Sequence, residues 1–340
     1  MRQVGPGRCL GTQAAPMLSS AQPQTRPQPQ ARLRSRLHPP LIRPARRTLS
    51  EEMTTVTAHD YETVRYELPE PAIARIVMNR PEARNAQNLQ MTYDLNAAFD
   101  RAAQDDAVKV IILAGADPHF SSGHDLRDGS RDRLGKDLGP VGTWGGFGLD
   151  GAEGRFGREQ EIYLQITRRW RNLPKPTIAQ VQGKCIAGGL MLAWACDLIV
   201  ASDDAQFCDP VVTMGVCGVE WFVHPWELGP RKAKELLFTA DTWSAQEAQS
   251  FGMVNRVYPR AALADEVMRI ARRIATMSSF ALKMTKEAVN RSVDIMGQQQ
   301  AIDQTFGLHH LCHAHNVLKF GTVIDPTGMP GAVAGKPAKA

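Results

Sequence analysis

An α/β fold is predicted by three observations. Short apolar runs of strand length alternate with stretches of helical period, a glycine-initiated apolar helix stands between two such runs, and the chain beyond Pro259 turns wholly helical. Residues 1–52 stand apart from this pattern. They are rich in Pro, Gln, Arg and Ser, follow no hydrophobic period, and offer too little apolar surface to offset the entropy of ordering. Three readings stay open for them: a disordered leader, an Arg-rich and acid-poor organelle transit segment, or an extension upstream of a true start at Met53.

The core is expected over residues 53–260. Val64, Tyr66 and Leu68 alternate with Arg65 and Glu67, Pro69-Glu70-Pro71 makes a turn, and residues 72–78 form an apolar run, which together read as a hairpin. Leu89, Met91, Leu95, Ala98, Phe99 and Ala102 recur at helical spacing, and residues 108–113 follow as a buried strand. The alternation repeats with a strand at 177–181, a helix at 188–195 and a strand at 198–201. Residues 231–239 are amphipathic, Ser244-Ala245-Gln246-Glu247 is a capping box, and 255–258 reads as a last short strand. Residues 261–340 form a helical C-terminal region, ended near Gly321 and Pro326.

Composition excludes several classes. With 43% hydrophobic and 22% charged residues over 340 positions, the chain has the make-up of a soluble globular protein. Its longest nearly apolar run, 188–201, is broken by Asp197 and is shorter than the ~20 residues of a membrane span, so no membrane partner is expected. Nine arginines against Glu51 and Glu52 put +7 on residues 1–52, which leaves −2 of the net +5 for the rest. A mildly acidic body without a basic stripe lacks the footprint of a nucleic-acid binder. The six cysteines form no CxxC pair and sit mostly in apolar text, as in a cytoplasmic protein.

The chemistry concentrates in two turns. Gly188-Gly189 opens an almost wholly apolar helix, and a helix start presents unpaired N–H groups and a partial positive charge. A second turn, Phe120-Ser121-Ser122-Gly123-His124-Asp125, supplies another amide; two such amides make an oxyanion hole. Other signals are weaker. Gly146-Phe147-Gly148-Leu149-Asp150-Gly151 matches GxGxxG but follows no strand, so it is not read as a dinucleotide site. Residues 127–158 read as a lid or a surface insertion. His309, Cys312 and His313 share one helical face, but no carboxylate accompanies them, and no metal is assigned.

Four motifs in order resemble the enoyl-CoA hydratase/isomerase (crotonase) superfamily over residues 61–320. They are Asn79-Arg80-Pro81-Glu82-Ala83-Arg84-Asn85-Ala86, the 120–126 turn, the 183–197 stretch, and Thr239-Ala240-Asp241 before the capping box. The resemblance implies a crotonase-like spiral of ββα units and a C-terminal helical region that builds homotrimers, often paired into hexamers. It also implies an acyl-CoA thioester as ligand, with coenzyme A as part of the substrate and no separate cofactor. On the family's pattern the two amides belong to His124 and Gly188.

A hydratase of the family adds water with two glutamates, and those positions hold Met191 and Val211 here. Neither side chain transfers a proton, and both read as lining of an apolar acyl pocket. Family members with other chemistries place their working residue slightly downstream, which points to Glu220 in the 215–224 loop. Burial in this apolar text is expected to raise its pKa. His224 ranks next and Asp209 lower, while Asp125 reads as the cap of a following helix. Arg84, Lys283 and Lys286 are candidates for the coenzyme A phosphates. Two functions stay open: a lyase or isomerase working through a thioester enolate, or a catalytically silent acyl-CoA-binding subunit.

Overall fold

The computed structural model describes residues 59–129 and 133–328; the leader and its three readings lie outside them. Strands β1 (His59–Asp60), β2 (Val64–Glu70) and β3 (Ile73–Met78) pair antiparallel, as the alternating pattern predicts. Helix α1 (Leu89–Gln104), capped by the Asn88 side chain on the Met91 N–H, crosses to β4 (Val110–Gly115), which lies parallel to β3. The next crossover is one long helical arm: α2 (Gly151–Glu159), a π turn at Gln160–Gln165 and α3 (Ile166–Arg171). It leads to β5 (Thr177–Val181), from which β6 (Lys184–Ile186) departs and α4 (Gly188–Trp194) returns toward β7 (Leu198–Ser202).

The remaining elements complete two sheets and their cover. They are β8 (Gln206–Cys208), α5 (His224–Leu228), α6 (Pro230–Thr239), β9 (Trp243–Ser244), α7 (Ala245–Ser250) and β10 (Arg256–Tyr258), then α8 (Leu263–Ala275), α9 (Ser279–Ile295) and α10 (Gln298–Phe320). The large sheet runs β1-β2-β3-β4-β5-β7-β10 and the small one β6-β8-β9. Ser121 bridges Cys185 of β6, so β4 with Ser121, β5 with β6, and β7 with β8 form successive turns of a spiral. Each turn adds one strand to both layers. This is the ββα spiral that the resemblance implies.

Period-2 alternation divides the core. Ile111 and Leu113 of β4 face the main cluster with Phe99, Leu190 and Trp194, whereas Val110 and Ile112 face a second cluster under α8, with Leu263, Val267, Met268 and Ala271. Helix α10 sends Ile302 and Phe306 into the main core, but α9 buries only Lys286. Ser244 accepts from the Glu247 N–H while the Glu247 carboxylate accepts from the Ser244 N–H, which closes the capping box. No helix among the described residues is long and apolar enough to cross a membrane. The five described cysteines are free; Cys9 lies outside the described residues.

Candidate active site

The 79–86 motif works as a clamp on the 120–125 turn. Asn85, at φ 53°, donates from its side-chain amide to the Ala116 and His119 carbonyls at 2.7 and 2.8 Å. Its own carbonyl accepts from the Ser121 hydroxyl. The Arg80 guanidinium meets Asp125 at 3.0 Å, and Gln87 exchanges backbone hydrogen bonds with Gly123 and Asp125. No helix follows Asp125, contrary to the cap expected there. Its carboxylate is taken by Arg80 and by the Arg127 N–H, which hold the chain in a turn.

Gly188 and Gly189 let this turn lie directly against the start of α4. A Cβ at Gly188 would stand 2.6 Å from two atoms of the His124 ring, and one at Gly189 would stand 2.6 Å from the Ser121 carbonyl oxygen. The preceding Ala187 is held at φ 47°, ψ −112°, with its N–H bonded to the Cys208 carbonyl. A non-glycine residue there is strained, and such strain is sustained only by a well-determined surrounding. Among the described residues, neither the His124 N–H nor the Gly188 N–H meets a hydrogen-bond partner.

Beside these turns opens a cavity of about 260 Å³. Leu89, Ile162, Val211, Met214, Val216 and Val219 give it an apolar wall, and His124, Glu159, Glu220, His309 and His313 a titratable one. The Glu220 side chain is 6% exposed, and one carboxylate oxygen lies 3.1 Å from His124 Nε2. His124 Nδ1 lies 3.1 Å from the side-chain oxygen of Gln87, and its ring stacks on Tyr163 at 3.8 Å between centroids. Both ring nitrogens thus face side-chain oxygen atoms, which fixes the plane of the imidazole. The other Glu220 oxygen lies 3.5 Å from His309 Nε2.

These contacts overturn the charge state expected for Glu220. Burial pushes its carboxyl up, but the His124 and His309 charges, the His124 hydrogen bond and its own backbone N–H bring it well below the usual carboxylate range. The residue stays ionised.

The other candidates scatter. His224 is fully buried behind the Glu220 loop and does not line the cavity; its Nε2 meets Asp209 at 2.8 Å, and Asp209 also accepts from the Val219 N–H. The pair shapes the loop from within. Val211 lines the cavity, whereas Met191, 2% exposed, packs in the main core. Lys286 is engaged by Asp197 at 2.9 Å and by the Lys175 carbonyl. Lys283 borders a separate small depression with Lys109 and Lys175, and Arg84 is exposed beside the 120–125 turn.

Sequence reasoning missed several residues that line the cavity. Tyr163 and Glu159 come from the helical arm, where the π turn shifts the face presented inward, and Gln87 sits just past the first motif. The histidine cluster of α10 does have a carboxylate partner: Glu159 lies 3.2–3.7 Å from His309, His310 and His313. The i, i+4 histidine spacing was visible, but nothing local pointed to a residue 150 positions upstream.

A ββα spiral with two glycine turns set against a buried acid defines one class of protein. The chain belongs to the enoyl-CoA hydratase/isomerase family, whose profile matches residues 69–140 and 151–324. Putative enoyl-CoA hydratase EchA13 of Mycobacterium tuberculosis is 48% identical over 275 residues, which is 78% of this chain and 86% of that protein. Human Enoyl-CoA hydratase domain-containing protein 3, mitochondrial, is 37% identical over 207 residues, 61% of this chain and 62% of that protein. A solved probable enoyl-CoA hydratase from Mycobacterium smegmatis superposes with a TM-score of 0.70 at 45% identity, covering 78% of this chain and all of the other.

Proposed function

We propose that this chain binds an acyl-CoA thioester, stabilises its enolate and moves a proton on it, as a lyase or isomerase. The thioester carbonyl oxygen accepts from the His124 and Gly188 amides, which are fixed before the substrate arrives; one such donor is worth about 3 kcal/mol in the transition state. Glu220 takes the α-proton, and the electron pair moves onto the thioester oxygen. With a β,γ-unsaturated acyl group the charge extends to the γ-carbon, and reprotonation there shifts the double bond to the α,β position and completes an isomerisation; loss of a β leaving group completes elimination. The observation that carries this reading is the 3.1 Å contact between Glu220 and His124, which sets an ionised carboxylate beside those amides on the cavity wall.

Coenzyme A enters as part of the substrate, and no separate cofactor is invoked. Arg84, which is exposed, is the preferred candidate for its phosphates, since Lys286 is already paired. The free thiols suit a reducing compartment, the cytoplasm. The active form is a homotrimer or a pair of them. Standard hydration is not proposed, because Met191 and Val211 replace both family glutamates.

Those same replacements favour a second reading, a silent acyl-CoA-binding subunit. A panel of acyl-CoAs, crotonyl-CoA included, incubated with the protein and followed by mass spectrometry, separates the two while binding is measured in parallel. Turnover that Glu220→Gln abolishes supports the enzyme. Tight binding without conversion of any member overturns it.

A further inference from the structure

We propose that Glu159, His309 and His313 form a binding site for a divalent transition-metal ion on the wall of the same cavity. Their ligand atoms lie within 4.8 Å of one another. His309 Nε2 and His313 Nε2 each stand 3.7 Å from the same Glu159 oxygen. Two nitrogens and one oxygen at about 2.0–2.2 Å from a common metal lie roughly 3–3.6 Å apart, so the two histidine–Glu159 pairs stand tenths of an ångström from that spacing and the set as a whole, within 4.8 Å, contracts around the ion.

The protons are already arranged for it. His309 Nδ1 lies 2.8 Å from the Gly218 carbonyl, and His313 Nδ1 lies 2.7 Å from the Val323 carbonyl. A carbonyl only accepts, so both Nδ1 atoms carry hydrogen, and each ring turns its Nε2 toward Glu159. Glu159 Oε2, His309 Nε2 and His310 Nε2 are buried, yet none of them makes a hydrogen bond. Such atoms gathered at one carboxylate oxygen call for a partner that accepts lone pairs, which is what a cation supplies.

Helix geometry explains the placement. His309 and His313 lie one turn apart on α10, and Glu159 ends α2 where the π turn begins. Two imidazoles and one carboxylate suit zinc, iron(II) or cobalt(II), and since all three residues line the cavity, the remaining coordination position faces it. The site stands whether or not the cavity turns over a thioester.

The test uses the full chain, stripped with chelator and titrated with Zn²⁺ by calorimetry, with metal content read by mass spectrometry. One equivalent per chain is expected. Glu159→Gln and His313→Gln should each weaken binding by about tenfold or more. His315→Gln, at an exposed position two residues away, should not. Circular dichroism checks that each variant folds, and the Co²⁺ spectrum of the wild type decides independently: visible d–d bands without a thiolate charge-transfer band are expected. No stoichiometric binding, binding unchanged in both variants, or a thiolate band placing the ion at Cys217 and Cys312 would each overturn the proposal.

Discussion

Gly188 is pressed on one face by the His124 ring and the Gln87 side chain, and its amide is one of the two proposed to meet the substrate oxygen. A methyl group there would stand 2.6 Å from the ring and 2.9 Å from the Gln87 oxygen, so the imidazole must swing off Glu220. Gly188→Ala is therefore expected to lower kcat/KM by about 100-fold or more, since misplacement of the donors alone costs that much. The melting temperature should fall little, because the obstructing atoms belong to side chains. His124→Ala separates the roles of one residue: it keeps the amide and removes the ring. If the imidazole takes part in proton transfer, kcat drops by about 100-fold with KM nearly unchanged; if the backbone alone works, steady-state kinetics will show the rate intact.

Two elements each carry an acid used differently. In the π turn, Glu161 is fully buried and accepts from the Val141 and Gly142 N–H groups at 2.6 and 2.9 Å and from the Tyr93 hydroxyl at 3.2 Å. It ties residues 141–142 to the helical arm. Hydrogen bonds to a charged group are worth about 1.5–3 kcal/mol each, so Glu161→Gln should cost about 2 kcal/mol and expose residues 133–150 to limited proteolysis. In α5, Glu227 has no partner that lowers it, and burial pushes its carboxyl up to about 7. An acid raised in the folded state contributes stability below its ordinary pKa of 4.5 and loses it as pH rises toward 7. Glu227→Gln should thus leave stability unchanged near pH 4 and raise it at pH 8 by about 1–2 kcal/mol, given the residue's partial exposure, as thermal unfolding at the two pH values will show. Such an effect was hidden in the sequence. Glu220 was recognisable as an acid in apolar text, but its charge state depends on His124, 96 positions away. Periodicity reports which face of an element is buried, not which distant side chain it meets.

At the scale of the molecule, the strand and helix order was legible because each element carries its own period and punctuation: the 64–78 hairpin, the glycine start of α4, the capping box of α7. The histidine-lined half of the cavity was not, since it exists only where α2, the 215–224 loop and α10 converge. The C-terminal helices are the remaining puzzle, and burial resolves it. Helix α9 runs for 17 residues and buries only Lys286, while Phe280 is 69% exposed and Ile295 87%; on α10, Leu311 is 64% exposed and Leu318 89%. Apolar surface of this extent is ordinarily covered by another subunit. Because α10 also supplies His309 and His313 to the cavity, covering its outer face would brace the inner one. We therefore expect light scattering on the purified protein to give three or six chains per particle. Ile295→Asp combined with Leu318→Asp should yield monomers with a lower melting temperature and weaker acyl-CoA binding. A wild type that elutes as a monomer at micromolar concentration would show instead that this face meets a different partner.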